Sequence, residues 1–172
     1  MKKFLVIGNP IKHSLSPKLH NYWFKKNNIN AVYDKSQIEE NDIKHIISKI
    51  RNGILEGINV TVPFKKSVIK FLDDLSPFAR ETQSVNTIYK EKNKIIGGNT
   101  DIGGFEASLN HIDYNLKGKT VFILGAGGVV PSLIVALTSL NASKIILSNR
   151  SNDKAEYLKK KFPFINLVTW GE

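Results

Sequence analysis

The residues most able to act together chemically lie in the run N-V-T-V-P-F-K, from Asn59 to Lys65. Asn59 and Thr61 are two apart, so an extended chain presents both side chains on one face. Lys65 follows closely enough to reach a substrate held there. A strand stopped by a proline and followed by a surface lysine would also account for the stretch taken alone. Upstream, in H-S-L-S-P, Ser14 alternates with Ser16 and the two hydroxyls could converge on a polyol. Ser16 before Pro17 also reads as an N-cap and first helical residue, which explains Ser16 but leaves Ser14 unaccounted for. Asn86 and the run Asn99-Thr100-Asp101 stand at the two ends of a predicted hairpin. Asp101 precedes I-G-G-F-E-A-S-L and would cap the helix that follows, a role compatible with catalysis for a carboxylate.

A different chemistry is written at G-A-G-G-V-V-P. A hydrophobic run, Thr120 to Leu124, leads into these glycines, and an apolar helix is predicted over Ser132 to Leu140. Strand, glycine turn and helix in that order allow backbone N–H groups and a helix N-terminus to hold a pyrophosphate. Gly125, Ala126, Gly127, Gly128 and Val129 form the candidate cradle. Val130 takes the slot usually given to glycine or a small residue, which predicts slightly wider helix–strand packing. About two dozen residues further on, an NAD site would show an acid for the ribose hydroxyls. Here stand Asn149, Arg150, Ser151 and Lys154. Cations in place of the acid favour the 2′-phosphate of NADP.

Placing these groups requires a scaffold, and the hydrophobic pattern supplies one. Phe4 to Ile7 reads as a buried strand, Ala31 to Ser36 as a second, and Gly57 to Val60 as a third. Between them, Leu19, Tyr22 and Trp23 fall at helical spacing, as do Ile43, Ile46, Ile47 and Ile50 before Gly53. A further helix is predicted over Lys65 to Leu72. Asn86 to Tyr89 and Lys94 to Gly97 read as a hairpin, Lys144 to Ser148 and Ile165 to Thr169 as the last strands. Alternation of strand and helix predicts an α/β fold, mainly parallel, rather than a sandwich. The predicted division is a substrate domain over 1–101 and a partial Rossmann-type nucleotide domain over 102–172.

Composition narrows the classes. The chain has 172 residues, 41% hydrophobic and 23% charged, which is globular, and no apolar run long enough to span a bilayer. M-K-K-F-L-V-I-G is too short for a signal sequence before Gly8-Asn9-Pro10 interrupts it. The absence of cysteine rules out disulfides, thiolate catalysis and cysteine zinc sites, fits a reducing cytoplasm, and no metal is expected. A net charge of +10 invites nucleic acid. The lysines are scattered, however, without the interleaved aromatics of a single-strand platform. A solvated basic surface that attracts small anions fits them better.

H-S-L-S-P, N-V-T-V-P-F-K, V-N-T, N-T-D-I-x-G, G-A-G-G and N-R-S, in this order and at these separations, resemble the shikimate dehydrogenase family. The resemblance implies NADP-dependent, reversible reduction of 3-dehydroshikimate to shikimate, on the route to chorismate and the aromatic amino acids. It implies that Ser14, Ser16, Asn59, Thr61 and Asn86 bind the ring and that Lys65 and Asp101 form the catalytic pair. Gly125 to Val129 with Asn149, Arg150, Ser151 and Lys154 would hold the nucleotide. The family's pattern continues past residue 172 into the second half of the nucleotide domain and helices returning to the substrate domain. That predicts an exposed sheet edge with association, as a homodimer or with a companion C-terminal segment, or disorder near the C-terminus. Rival readings are a non-catalytic relative that binds shikimate or nucleotide, a quinate/shikimate enzyme, and a basic nucleic-acid module.

Overall fold

The computed structural model describes residues 1–171. They form two compact units, Met1–Asn99 and a second that begins at Thr100. The first unit is built on six strands: β1 (Lys2–Gly8), β2 (Ala31–Gln37), β3 (Gly57–Val60), β4 (Asp74–Leu75), β5 (Thr87–Glu91) and β6 (Lys94–Gly98). Their order across the sheet is β2-β1-β3-β5-β6-β4. β1 runs parallel to β2 and β3, β4 runs parallel to β6, and β5 is antiparallel to both its neighbours.

Side-chain alternation divides this sheet into two faces. Leu5 and Ile7 of β1 lie in register with Ile58 and Val60 of β3 and face the main core. There they meet Ile43, Ile46, Ile47 and Ile50, all buried, of the unit's second helix, α2 (Ile43–Arg51). The opposite parity, Phe4 and Val6 with Tyr33 of β2, builds a smaller cluster with Ile11 and Phe24. Asn59 pairs with Val6 and Thr87 with Asn59, so both polar residues lie on this second face. The core packs without slack. A Cβ on Gly97 would come within 2.5 Å of Leu72 Cδ1 and 2.9 Å of Val85 Cγ2.

Two expected helices differ from their sequence pattern. Helix α1 (Ser16–Lys26) forms, yet Leu19, Tyr22 and Trp23 are exposed. The stripe it turns to the sheet is His20, Asn21 and Phe24, whose mixed polar and aromatic character gives no aliphatic periodicity. The predicted helix over Lys65 to Leu72 is replaced by successive turns and a 3-10 turn at Ile69–Phe71. In an α-helix the Lys65 carbonyl would accept from Ile69 N–H. Here Val85 N–H takes that carbonyl at 2.8 Å, and Ile69 N–H bonds to Lys66 instead. A short helix α3 (Pro77–Thr82), capped by Ser76 Oγ, completes the unit.

The second unit opens with α4 (Asp101–His111) and then alternates strictly: β7 (Thr120–Leu124), α5 (Val130–Ser139), β8 (Lys144–Ser148), α6 (Asn152–Lys161), β9 (Asn166–Leu167). Its strands form a parallel sheet in the order β7-β8-β9. Ile123, Val130, Ile134, Leu147, Leu158 and Ile165 lie in its core. Helix α5 starts ahead of the expected Ser132, and the last strand is shorter than Ile165 to Thr169. Among the described residues no helix is long and apolar enough to cross a membrane.

Candidate functional site

In the first unit the predicted substrate residues lie on three segments that backbone hydrogen bonds lace together. The loop after β1 carries Ser14 and leads into Ser16 at the start of α1, the loop after β3 carries Thr61 and Lys65, and Asn86 lies just before β5. Thr61 N–H donates to the Ile7 carbonyl at 2.9 Å and Asn9 N–H to the Val62 carbonyl at 3.0 Å. Gly8 permits this approach, since a Cβ there would stand 2.6 Å from Thr61 Cγ2. Val60 N–H donates to Asn86 O at 2.9 Å and Val85 N–H to Lys65 O at 2.8 Å, which ties the second segment to the third. The lacing gathers these segments at the carboxyl ends of β1 and β3, where open α/β sheets hold ligands. Ser14, Ser16, Asn59, Thr61, Lys65 and Asn86 are all half-buried, an exposure that leaves polar groups sheltered and reachable.

Individual side chains show how much of the pattern serves the fold. Asn59 is engaged at both ends of its amide: Oδ1 accepts from Tyr33 Oη at 2.6 Å, and Nδ2 donates to Asn86 O and Thr87 Oγ1, each at 3.1 Å. The serines exchange their expected local roles. Ser16 is the first residue of α1 and Leu15 the cap position, with no side-chain cap. Ser14 Oγ instead accepts from Ser16 N–H at 3.3 Å and closes a local turn. Asn99 is buried, its amide donating to Thr82 Oγ1 at 3.1 Å and Ser84 O at 2.9 Å, and so anchors the segment leading to Asn86.

Asp101 belongs to the second unit, where it is the first residue of α4. The cap position is Thr100 rather than Asp101, and no side-chain capping bond forms there. An acid in the first helical turn is favourably placed against the helix dipole.

The glycine turn between β7 and α5 is set by its own hydrogen bonds. Gly125 has φ +104°, a conformation that a side chain would strain, and its N–H donates to Ser148 O at 2.8 Å. Ala126 N–H donates to Asn149 Oδ1 at 2.9 Å, while Asn149 Nδ2 donates to Ser151 O at 2.7 Å. Asn149 therefore braces the turn from the end of β8. Gly127 and Gly128 are different: neither has a left-handed φ, and a Cβ on either would meet nothing within 4 Å. The protein's own packing does not demand glycine there. What their absent side chains leave is open space over backbone and the start of α5, which fits the approach of a phosphate. Val129 is exposed beside them, and Val130 is buried in the core in the slot usually given to a small residue. Arg150, Ser151 and Lys154 are exposed at and just inside the start of α6. Two cations and a hydroxyl suit a phosphate monoester better than a ribose diol.

A surface hollow of about 560 Å³ lies beside the second segment, lined by Pro63, Phe64, Lys66, Ser67, Ile69, Lys70, Glu40 and Gln83. It contains none of the predicted substrate contacts.

A mixed sheet with polar side chains gathered at its strand ends, followed by a βαβαβ unit with an open glycine turn, defines the class: a two-unit α/β protein whose second unit has the topology of a dinucleotide-binding half. The comparisons narrow it. The family model for the shikimate dehydrogenase substrate binding domain matches residues 6–88, and that for shikimate / quinate 5-dehydrogenase matches residues 107–169. The chain is 58% identical over 171 residues to a shikimate dehydrogenase (NADP(+)) of Pelagibacter ubique, covering 99% of this chain and 64% of that protein. The crystal structure of shikimate dehydrogenase from Aquifex aeolicus superposes with a TM-score of 0.90 at 39% identity, over 98% of this chain and 62% of that one. The Thermus thermophilus enzyme, solved with NADP(H) and shikimate, gives 0.88 at 29% identity over 98% and 63%. The chain belongs to the shikimate dehydrogenase family, and it spans under two thirds of the length of these relatives.

Proposed function

We propose that this chain carries the substrate-binding unit and the pyrophosphate-holding turn of an NADP-dependent shikimate dehydrogenase, which reduces 3-dehydroshikimate reversibly to shikimate. One observation supports the reading most: half-buried polar side chains sit on three segments laced by backbone bonds, exposing hydroxyl, amide and ammonium groups at one sheet end. Ser14 and Ser16 would meet the ring carboxylate, Thr61 and Asn86 the ring hydroxyls. The nucleotide, when bound, supplies a hydride to the carbonyl carbon. The chain's own part is the proton. The Lys65 ammonium stabilises charge developing on the ketone oxygen and donates a proton to it, and Asp101 is the second member of the proposed catalytic pair. Gly125 to Val129 would face the pyrophosphate, and Arg150, Ser151 and Lys154 the 2′-phosphate, with Asn149 bracing the turn. Paired serine hydroxyls suit a carboxylate on a ring without a further hydroxyl at the same carbon, so shikimate is preferred to quinate.

NADPH oxidation by the purified chain tests this directly. The expected result is oxidation that depends on 3-dehydroshikimate and is competed by shikimate more strongly than by quinate. Shikimate binding without any turnover would instead leave a binding protein, and neither binding nor turnover would overturn the proposal.

A further inference from the structure

We infer that Tyr33 is a positioning residue: its hydroxyl opens a one-way hydrogen-bond chain that fixes the amide orientation of Asn59 and, through Thr87, of Asn86. The chain is read bond by bond. Tyr33 Oη donates to Asn59 Oδ1 at 2.6 Å, Asn59 Nδ2 donates to Thr87 Oγ1 at 3.1 Å, and Thr87 Oγ1 donates to Asn86 Oδ1 at 3.0 Å. A phenol and a threonine hydroxyl each have one proton to give. With the phenol's proton committed to Asn59, that amide must keep its oxygen towards β2 and its nitrogen towards β5. With the threonine's proton committed to Asn86, that second amide must turn its oxygen to Thr87. Flipping Asn59 would set its oxygen against the Asn86 backbone carbonyl and leave the phenol's proton without its acceptor, and flipping Asn86 would leave the threonine's proton without its own.

The direction has a chemical consequence. Both protons of Asn59 Nδ2 are spent within the protein, on Asn86 O and Thr87 Oγ1. Asn59 therefore meets a ligand only through the remaining acceptor capacity of Oδ1, and accepts a hydroxyl proton rather than binding a ketone or carboxylate. Asn86, with its oxygen turned to Thr87, carries its amide nitrogen on the opposite end. Tyr33 thereby sets a donor-and-acceptor pattern that selects a polyol's orientation.

Tyr33 is itself held hard. It is 4% exposed, and the His20 ring stacks on it at 4.1 Å and 5°. It lies on the edge strand β2, and the Asn21 amide closes that edge: Nδ2 donates to Tyr33 O at 2.7 Å and Oδ1 accepts from Tyr33 N–H at 2.9 Å. Burial raises the phenol's pKa, so it stays protonated and able to donate.

This deepens the substrate reading and rests on it for the identity of the ligand, though not for the chain of bonds. Tyr33→Phe and Thr87→Val each remove one hydroxyl and keep the bulk, and Thr87→Ser restores the link. Side-chain amide resonances of Asn59 and Asn86 are followed by NMR in ligand-free protein, together with melting temperature, shikimate affinity and NADPH affinity. In Tyr33→Phe and Thr87→Val the expected result is shifted, broadened amide signals and shikimate weakened about tenfold. NADPH affinity and melting temperature stay near wild type, and Thr87→Ser behaves as wild type. Unchanged amide signals in both variants, or undiminished shikimate affinity once they shift, overturn the inference. If wild type binds no shikimate, the functional reading fails and the ligand-free amide signals alone decide. If Tyr33→Phe does not fold, Thr87→Val carries the same comparison.

Discussion

The two units prepare for a ligand in opposite ways. On the proposed reading, recognition in the first rests on side chains already wired into the protein: Asn59 is bonded at both ends, Ser14 holds the turn before α1, and Asn99 anchors the segment before Asn86. In the second, it rests on what is missing. Gly127 and Gly128 have no steric need to be glycine, and the space above them is open. A small ring with several hydroxyls has to be told apart from near relatives, which calls for donors and acceptors in fixed directions. A pyrophosphate has to be approached closely and its charge met, which backbone N–H groups and distant cations accomplish without directional side chains.

That contrast can be broken at each end. The largest effect is expected at Lys65, where Lys65→Ala should cut turnover by about a thousandfold and leave shikimate affinity within a few-fold of wild type, as loss of a proton donor does. Steady-state rates beside calorimetric binding check it. Next comes Gly127→Leu, which fills the open space: NADPH affinity should fall by about a hundredfold, while shikimate affinity and melting temperature hold, because a Cβ there meets nothing within 4 Å. Replacing both Arg150 and Lys154 by Glu should weaken NADPH by about tenfold or more and leave NADH little changed, since only one of them carries the 2′-phosphate.

The smallest effect concerns the first unit's scaffold. Burial lowers the pKa of His20 below its ordinary 6.5. The unfolded chain therefore takes up a proton near that value while the folded chain resists. Stability from this group is present above pH 6.5 and lost as pH falls from there towards the folded value. Melting curves between about pH 7.5 and about pH 5 should fall by a few degrees less in His20→Gln than in wild type.

Much of this was legible in sequence, for reasons of short range. Strand β3 and helix α2 follow directly from apolar spacing, and the glycine turn announces itself because strand, glycines and helix are contiguous. What escaped depends on partners far along the chain. The stretch after Pro63 has helical composition, but Val85 captures the Lys65 carbonyl that a helix needs. Helix α1 shows its aliphatic and aromatic stripe to solvent because His20 and Asn21 have specific work against Tyr33. The Tyr33, Asn59, Thr87 and Asn86 chain spans three strands. Only the register that sets Asn59 against both Val6 and Thr87 makes it visible.

Titration of shikimate into the chain in the absence of nucleotide reaches the centre of this account. Prewired side chains in the first unit predict saturable binding to one site, weakened about tenfold by Thr61→Val and again by Asn86→Ala. A chain that takes up no shikimate, or takes it up equally well in both variants, would contradict it.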